Sequence, residues 1–153
     1  MGVHFHHTSF TVSDIAAAEK FFVDLFGMKR IGGGTYDFDY IRTVTGYNDA
    51  VLEIAFLSYP ESGENLELIE YVKPKGEPVS TATCRPGAAH LSFKVEDIEA
   101  DYRRLKEKGV RFKAPPVEIT FGMNKGSKAV YFNGPDGIAL ELIQPASAGT
   151  APA

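Results

Sequence analysis

One phrase is written twice in this chain. HTSFTVSDI at residues 7–15 returns as HLSFKVEDI at residues 90–98, an offset of 83 (90 − 7). His7/His90, Ser9/Ser92, Phe10/Phe93, Val12/Val95, Asp14/Asp97 and Ile15/Ile98 match, followed by Ala17/Ala100. Whatever the first half folds into, the second must fold into as well. A second echo closes each half: LELIEY (66–71) matches LELIQP (140–145), at an offset of 74 (141 − 67). The first half therefore holds about nine more residues between its two echoes, most naturally in the Gly-, Tyr- and Asp-rich segment 32–50. Its weak periodicity reads as a long loop, and long loops in compact modules tend to be functional.

Each opening phrase reads as a strand that turns directly into a helix. Alternation from His7 to Val12 meets Ser13-Asp14, either of which can cap a helix, and Gly27 stops the helix. Ile15, Ala18, Phe22 and Leu25/Phe26 form its apolar stripe. In the copy, Glu96-Asp97 precede a stripe of Ile98, Tyr102 and Leu105, with Gly109 as the stop. Strand-like runs follow each helix: 28–31, 51–59 and 65–71 in the first half, and 110–114, 128–133 and 138–144 in the second. ESGEN (61–65) and NGPDG (133–137) suit hairpins. The reading is α+β, with two tandem βαβββ modules at 1–71 and 90–145, a linker at 72–89, and a small-residue tail at 146–153 expected to be disordered.

Strand side chains alternate between faces. Phe10 and Val12, and in the copy Leu91, Phe93 and Val95, suit packing beneath the helix. This turns His7 and His90 to the opposite face. Leu66 and Leu68, and Ile138, Leu140 and Leu142, likewise leave Glu67 and Glu141 pointing away from the helix. Two sheets curled about a common axis would bring His7, Glu67, His90 and Glu141 to one cavity. Paired carboxylates in a pocket need a counter-charge. Two neutral imidazoles and two carboxylates around a divalent cation are formally neutral, and N/O donors without sulfur suit Zn, Ni, Co, Mn or Fe. A lone histidine at a strand start is usually just exposed; repetition of both residue types at equivalent places is what singles out this set. His4 and His6 lack counterparts in the second half.

Segment 32–50 offers Tyr40 and Arg42, an aromatic surface and an anion-binding fork, as candidate substrate contacts alongside Tyr36 and Asp39. Tyr71 and Tyr131 are strand residues within reach of the cavity. Cys84 is read as an incidental reduced thiol. A net charge of −4 and a pI near 5.6 provide no basic stripe for nucleic acid. No apolar run is long enough to span a membrane and no secretory leader is visible, so a cytoplasmic protein is expected.

HTSFTVSD, LELIE, HLSFKVEDIEADYRRLKEKGV and YFNGPDGIALELIQ together resemble the vicinal oxygen chelate superfamily, over roughly residues 3–145. That superfamily includes glyoxalase I, methylmalonyl-CoA epimerase, bleomycin-resistance proteins and extradiol dioxygenases. The resemblance implies a cupped mixed sheet built from both modules, one divalent metal on His7, Glu67, His90 and Glu141, a small-molecule substrate, and a homodimer. It further implies a lyase, isomerase or epimerase moving a proton beside a metal-bound carbonyl, with Glu141 and then Glu67 as proton carriers. The alternatives are an Fe(II) extradiol-type dioxygenase and a non-catalytic ligand-binding protein. Glutathione-using members commonly carry arginine at the place of Thr11 and asparagine at that of Tyr71.

Overall fold

The structure, a computed structural model, describes residues 2–59 and 63–146. Glu61 and Ser62 of the expected ESGEN turn, and residues 147–153 of the expected tail, lie outside them. The chain divides into two compact units, Met1–Pro78 and Val79–Ala153.

In the first unit, β1 (Thr8–Thr11) runs into Asp14, whose carboxylate accepts from the Ala17 N–H at 2.9 Å and caps α1 (Ile15–Phe26). Gly27 ends the helix in the left-handed region, at φ 70. β2 (Lys29–Tyr36), α2 (Asp39–Thr45), β3 (Val51–Ser58) and β4 (Asn65–Lys73) follow. The strands lie in the order β1-β4-β3-β2, with β1 parallel to β4 and the other pairs antiparallel. Helix α1 packs on β3 and β4. Ala18 and Phe22 on its stripe are fully buried, as are Leu57 and Leu68 on the strands. Burial of a side chain such as Phe22 contributes roughly 2–3 kcal/mol.

Segment 32–50 is not a loop. Residues 32–36 extend β2, and 39–45 form α2. Three consecutive glycines read as breakers, but here they let β2 hug β3 past a bulge between Arg30 and Gly32. A Cβ on Gly33, which has φ 117, would lie 2.0 Å from the Ile54 carbonyl oxygen. Helix α2 packs Ile41 against Leu52 and Ile54, in a cluster that also takes in Tyr36, Phe56, Ile69 and Tyr71. Strand register puts Phe56 opposite Glu67 and Ile54 opposite Ile69, so α2 covers part of the sheet face that carries Glu67.

The second unit repeats the plan. β5 (His90–Lys94) leads into Asp97, which accepts from the Glu99 and Ala100 N–H groups and caps α3 (Ile98–Glu107). β6 (Val117–Glu118), β7 (Lys128–Asn133) and β8 (Ala139–Gln144) complete a sheet of order β5-β8-β7-β6, with β5 parallel to β8. NGPDG closes the β7–β8 hairpin, with Asp136 at φ 51, a conformation that aspartate tolerates. The expected strand 110–114 is reduced to an isolated bridge, Phe112 to Phe132. Pro115 and Pro116 follow it and have no N–H to extend a ladder, so pairing resumes only at Val117. The framework of two tandem βαβββ units stands, with α2 added to the first. β4 continues to Lys73, and residues 74–89 carry no helix or strand. Among the described residues, no helix is long and apolar enough to cross a membrane.

Candidate functional site

The repeated residues make the same small device in each unit. Glu67 on β4 lies opposite Ser9 of β1, and Glu141 on β8 lies opposite Ser92 of β5. Each histidine precedes that serine by two residues, one period of a strand, so it shares the glutamate's face. His7 Nε2 is 3.3 Å from Glu67 Oε2, and His90 Nε2 is 3.6 Å from Glu141 Oε2. The carboxylates are largely enclosed, with side chains 12% and 13% exposed, and the imidazoles are more open. Leu66, Leu68, Leu140 and Leu142 are buried on the other face and hold each glutamate in place.

The flanks of the two pairs differ. Opposite Glu67 on β3 is Phe56, its ring edge-on to His7 at 6.1 Å. Opposite Glu141 on β7 is Tyr131, its ring edge-on to His90 at 5.2 Å. The Tyr131 hydroxyl lies 3.2 Å from His90 Nε2. Burial, and then the charge of Glu141, raise the Tyr131 phenol above its ordinary pKa. Tyr71 is raised too, by burial first, then by Tyr47, then by Glu67; its ring stands edge-on to Tyr47. Tyr40 is exposed on α2 and stacks on Phe38. Arg42 does not offer an open fork: its guanidinium is held by Asp37 and, at 3.0 Å, by Asp39.

Two features escaped the sequence reading, the first on the helix-packed face of the closing strands. Glu70 Oε2 accepts from the Ile15 N–H at 3.0 Å, and Gln144 Oε1 accepts from the Ile98 N–H at 3.0 Å. Each closing strand thereby clamps the N-terminus of its own unit's first helix. The signal was present, because Glu70 and Gln144 hold matching places in LELIE and LELIQ. His6, which lacks a counterpart in the second half, brings its Nδ1 to 2.7 Å from His7 Nδ1.

Donors about 2.1 Å from one cation stand roughly 3.0–3.4 Å apart at octahedral to tetrahedral angles. The His7–Glu67 separation meets that spacing as it stands, and the His90–Glu141 separation is a few tenths of an ångström wide. Imidazole nitrogen with carboxylate oxygen is also a fitting donor set for a first-row divalent ion. The structure brings the four expected ligands together as two pairs. Among the described residues, no group of three or more His, Cys, Asp or Glu side chains that could hold a metal is assembled.

Tandem βαβββ units, each presenting one imidazole–carboxylate pair on the sheet face away from its first helix, define a duplicated α+β scaffold. The chain belongs to the Glyoxalase/Bleomycin resistance protein/Dioxygenase superfamily, whose profile matches residues 4–142. It is 34% identical over 142 residues to a 2-epi-5-epi-valiolone epimerase from Actinomyces sp., covering 90% of this chain and 77% of that protein. It is 26% identical to a probable lactoylglutathione lyase from Synechocystis sp., covering 92% and 95%. Among solved structures, a glyoxalase family protein from Bacillus cereus matches with a TM-score of 0.78 at 23% identity over 96% of this chain and 97% of that one, a likeness of fold.

Proposed function

We propose that this chain is a divalent-metal-dependent epimerase or glyoxalase-like lyase/isomerase that moves a proton on the carbon beside a carbonyl of a small substrate. The observation that carries this reading is the His–Glu pair, built twice in one register with each carboxylate held on the sheet face away from its unit's first helix. The names of two relatives, an epimerase and a probable lactoylglutathione lyase, support it.

One pair of each kind, His7 with Glu67 and His90 with Glu141, supplies two nitrogens and two carboxylates. A Zn, Ni, Co, Mn or Fe ion held by them would polarise the carbonyl and stabilise charge developing on its oxygen. Glu141 takes the proton from the carbon through a carboxylate oxygen. Glu67 is the second carrier and returns a proton where the configuration inverts. The Tyr131 hydroxyl donates to a substrate oxygen, and Tyr71 and Tyr40 line the approach with aromatic surface. A homodimer belongs to the same reading.

The test begins with elemental analysis of protein purified without added metal. Solvent-deuterium incorporation is then followed by NMR with methylglyoxal–glutathione adduct, an epimerisable acyl-CoA and a cyclic hydroxyketone. Glu141→Gln, assayed with enough added metal to fill the site, should lose roughly 10²–10⁴ in rate on whichever substrate exchanges. Full turnover in that variant with metal bound would sink the reading.

A further inference from the structure

The sequence HFHH (4–7) places two more histidines beside His7, and the function proposed above leaves them without a task. The structure separates them. His7 faces Glu67 through Nε2, while its other ring nitrogen, Nδ1, lies 2.7 Å from His6 Nδ1. The two rings meet edge-on, with centroids 5.0 Å apart and planes at 81°. Both rings belong to the first unit.

That spacing has a chemical consequence. A neutral imidazole carries its hydrogen on one nitrogen and its lone pair on the other. Two bare lone pairs would repel at this distance, so one Nδ1 carries the hydrogen and the other accepts it. When His7 donates from Nδ1, its lone pair is on Nε2 and faces the Glu67 carboxylate, an arrangement that a cation between the two stabilises; without a cation, Nε2–H donates to Glu67 instead. A histidine that binds a metal needs the first arrangement, and the partner of its distal nitrogen fixes both tautomer and ring orientation. The usual partner is a carboxylate or a carbonyl; here it is the preceding histidine.

We propose that His6 is a positioning residue for the His7–Glu67 pair: it accepts the His7 Nδ1–H and holds His7 Nε2 toward the position shared with Glu67. The proposal rests on the metal reading above, but it makes a separate claim. It assigns His6 no bond to the cation and no part in proton transfer. It also accounts for the lack of a counterpart in the second unit. Val3, His4 and Phe5 leave the segment before β1 exposed, so His7 depends on a neighbour for its orientation. His90 lies within β5 itself, its ring against Tyr131.

The experiment measures Zn(II) affinity of the full metal-stripped chain by competition with a chromophoric chelator, alongside imidazole ¹⁵N NMR. His6→Ala should weaken zinc roughly ten- to hundredfold. His6→Asn, whose amide oxygen can accept the same hydrogen, should restore most of the loss, and His4→Ala should change nothing. In the zinc-loaded wild type the ¹⁵N signals should show the His7 Nδ1–H as hydrogen-bonded, and His6→Ala should lose that hydrogen-bond shift. Wild-type affinity in His6→Ala overturns the proposal and leaves the four-residue site standing. A loss that His6→Asn cannot restore also overturns it, and marks His6 as a direct ligand. Undiminished zinc binding in Glu67→Gln, or none in the wild type, overturns the metal reading and this inference with it.

Discussion

The clamp from β4 to the start of α1 yields a prediction in which two substitutions at one site must part company. Glu70 Oε2 accepts from the Ile15 N–H at 3.0 Å, and its side chain is 20% exposed, so water replaces it only in part. Ile15 is the first residue of α1, where an N–H has no partner inside the helix and the helix dipole favours negative charge. Removing a hydrogen bond to a charged acceptor costs about 1.5–3 kcal/mol, and the dipole interaction adds about 0.3–1. Discounted for the remaining exposure, Glu70→Ala should cost about 2 kcal/mol. Glu70→Gln should cost under about 1 kcal/mol, because it keeps the acceptor and gives up only the charge. The second unit already displays that solution, with Gln144 on the Ile98 N–H at the same 3.0 Å. At roughly 2–4 °C per kcal/mol for a chain of this size, metal-free protein should melt about 4–8 °C lower for the alanine variant. The glutamine variant should lie within about 3 °C of the parent in calorimetry. Equal losses in the two variants, or an alanine variant as stable as the parent, would refute the reasoning.

Gly33→Ala should destabilise by about 3 kcal/mol or more, measured by urea unfolding, since it combines a left-handed φ with a Cβ inside the Ile54 carbonyl. In spectrophotometric titration at alkaline pH, Tyr71→Phe and Tyr131→Phe should each delete a late-titrating phenol. The sign follows from the raised values. Both phenols support stability fully below about pH 10, and that support is lost as pH climbs through their folded pKa values. Tyr131→Phe should leave Zn(II) affinity equal or up to about tenfold tighter in the chelator assay, because a cation on His90 Nε2 has to displace the phenol that lies 3.2 Å from that nitrogen. Weaker binding in that variant would show that the hydroxyl supports the ligand instead.

The parts of this molecule that were legible in the sequence are those written twice. The aspartate caps, the helix stripes, the closing strands and the facing of His7, Glu67, His90 and Glu141 all follow from alternation applied to matching phrases. What stayed hidden had no second copy or depended on distant register. Helix α2 is seven residues long, too short for a clear 3.6-residue period, and its stability comes from burying Ile41 on Leu52 and Ile54. The glycines of β2 look like a loop because their conformational freedom is visible in the sequence, whereas the close strand that requires it is not. Phe56 and Tyr131 could not be matched by eye, since the unequal insert shifts them and only the strand register shows that they face equivalent glutamates.

That last comparison separates what duplication kept from what it changed. The histidine, the serine behind it, the glutamate beside it and the clamp on the helix recur in both units. Phe56 has become Tyr131, and Tyr71 is answered by Pro145. A residue needed to hold a cation has to satisfy the same donor chemistry in each copy, and so stays the same. A residue that meets the substrate serves a molecule with unlike ends and is free to differ. Selectivity should therefore respond to Tyr131 and Tyr71, while metal affinity responds to the histidines and glutamates. Exchanging the flanks, with Phe56→Tyr and Tyr131→Phe in one protein, should leave zinc stoichiometry untouched and alter the ranking of substrates in the deuterium-incorporation panel. An unchanged ranking would mean that the two rings are interchangeable packing and that the substrate is read elsewhere.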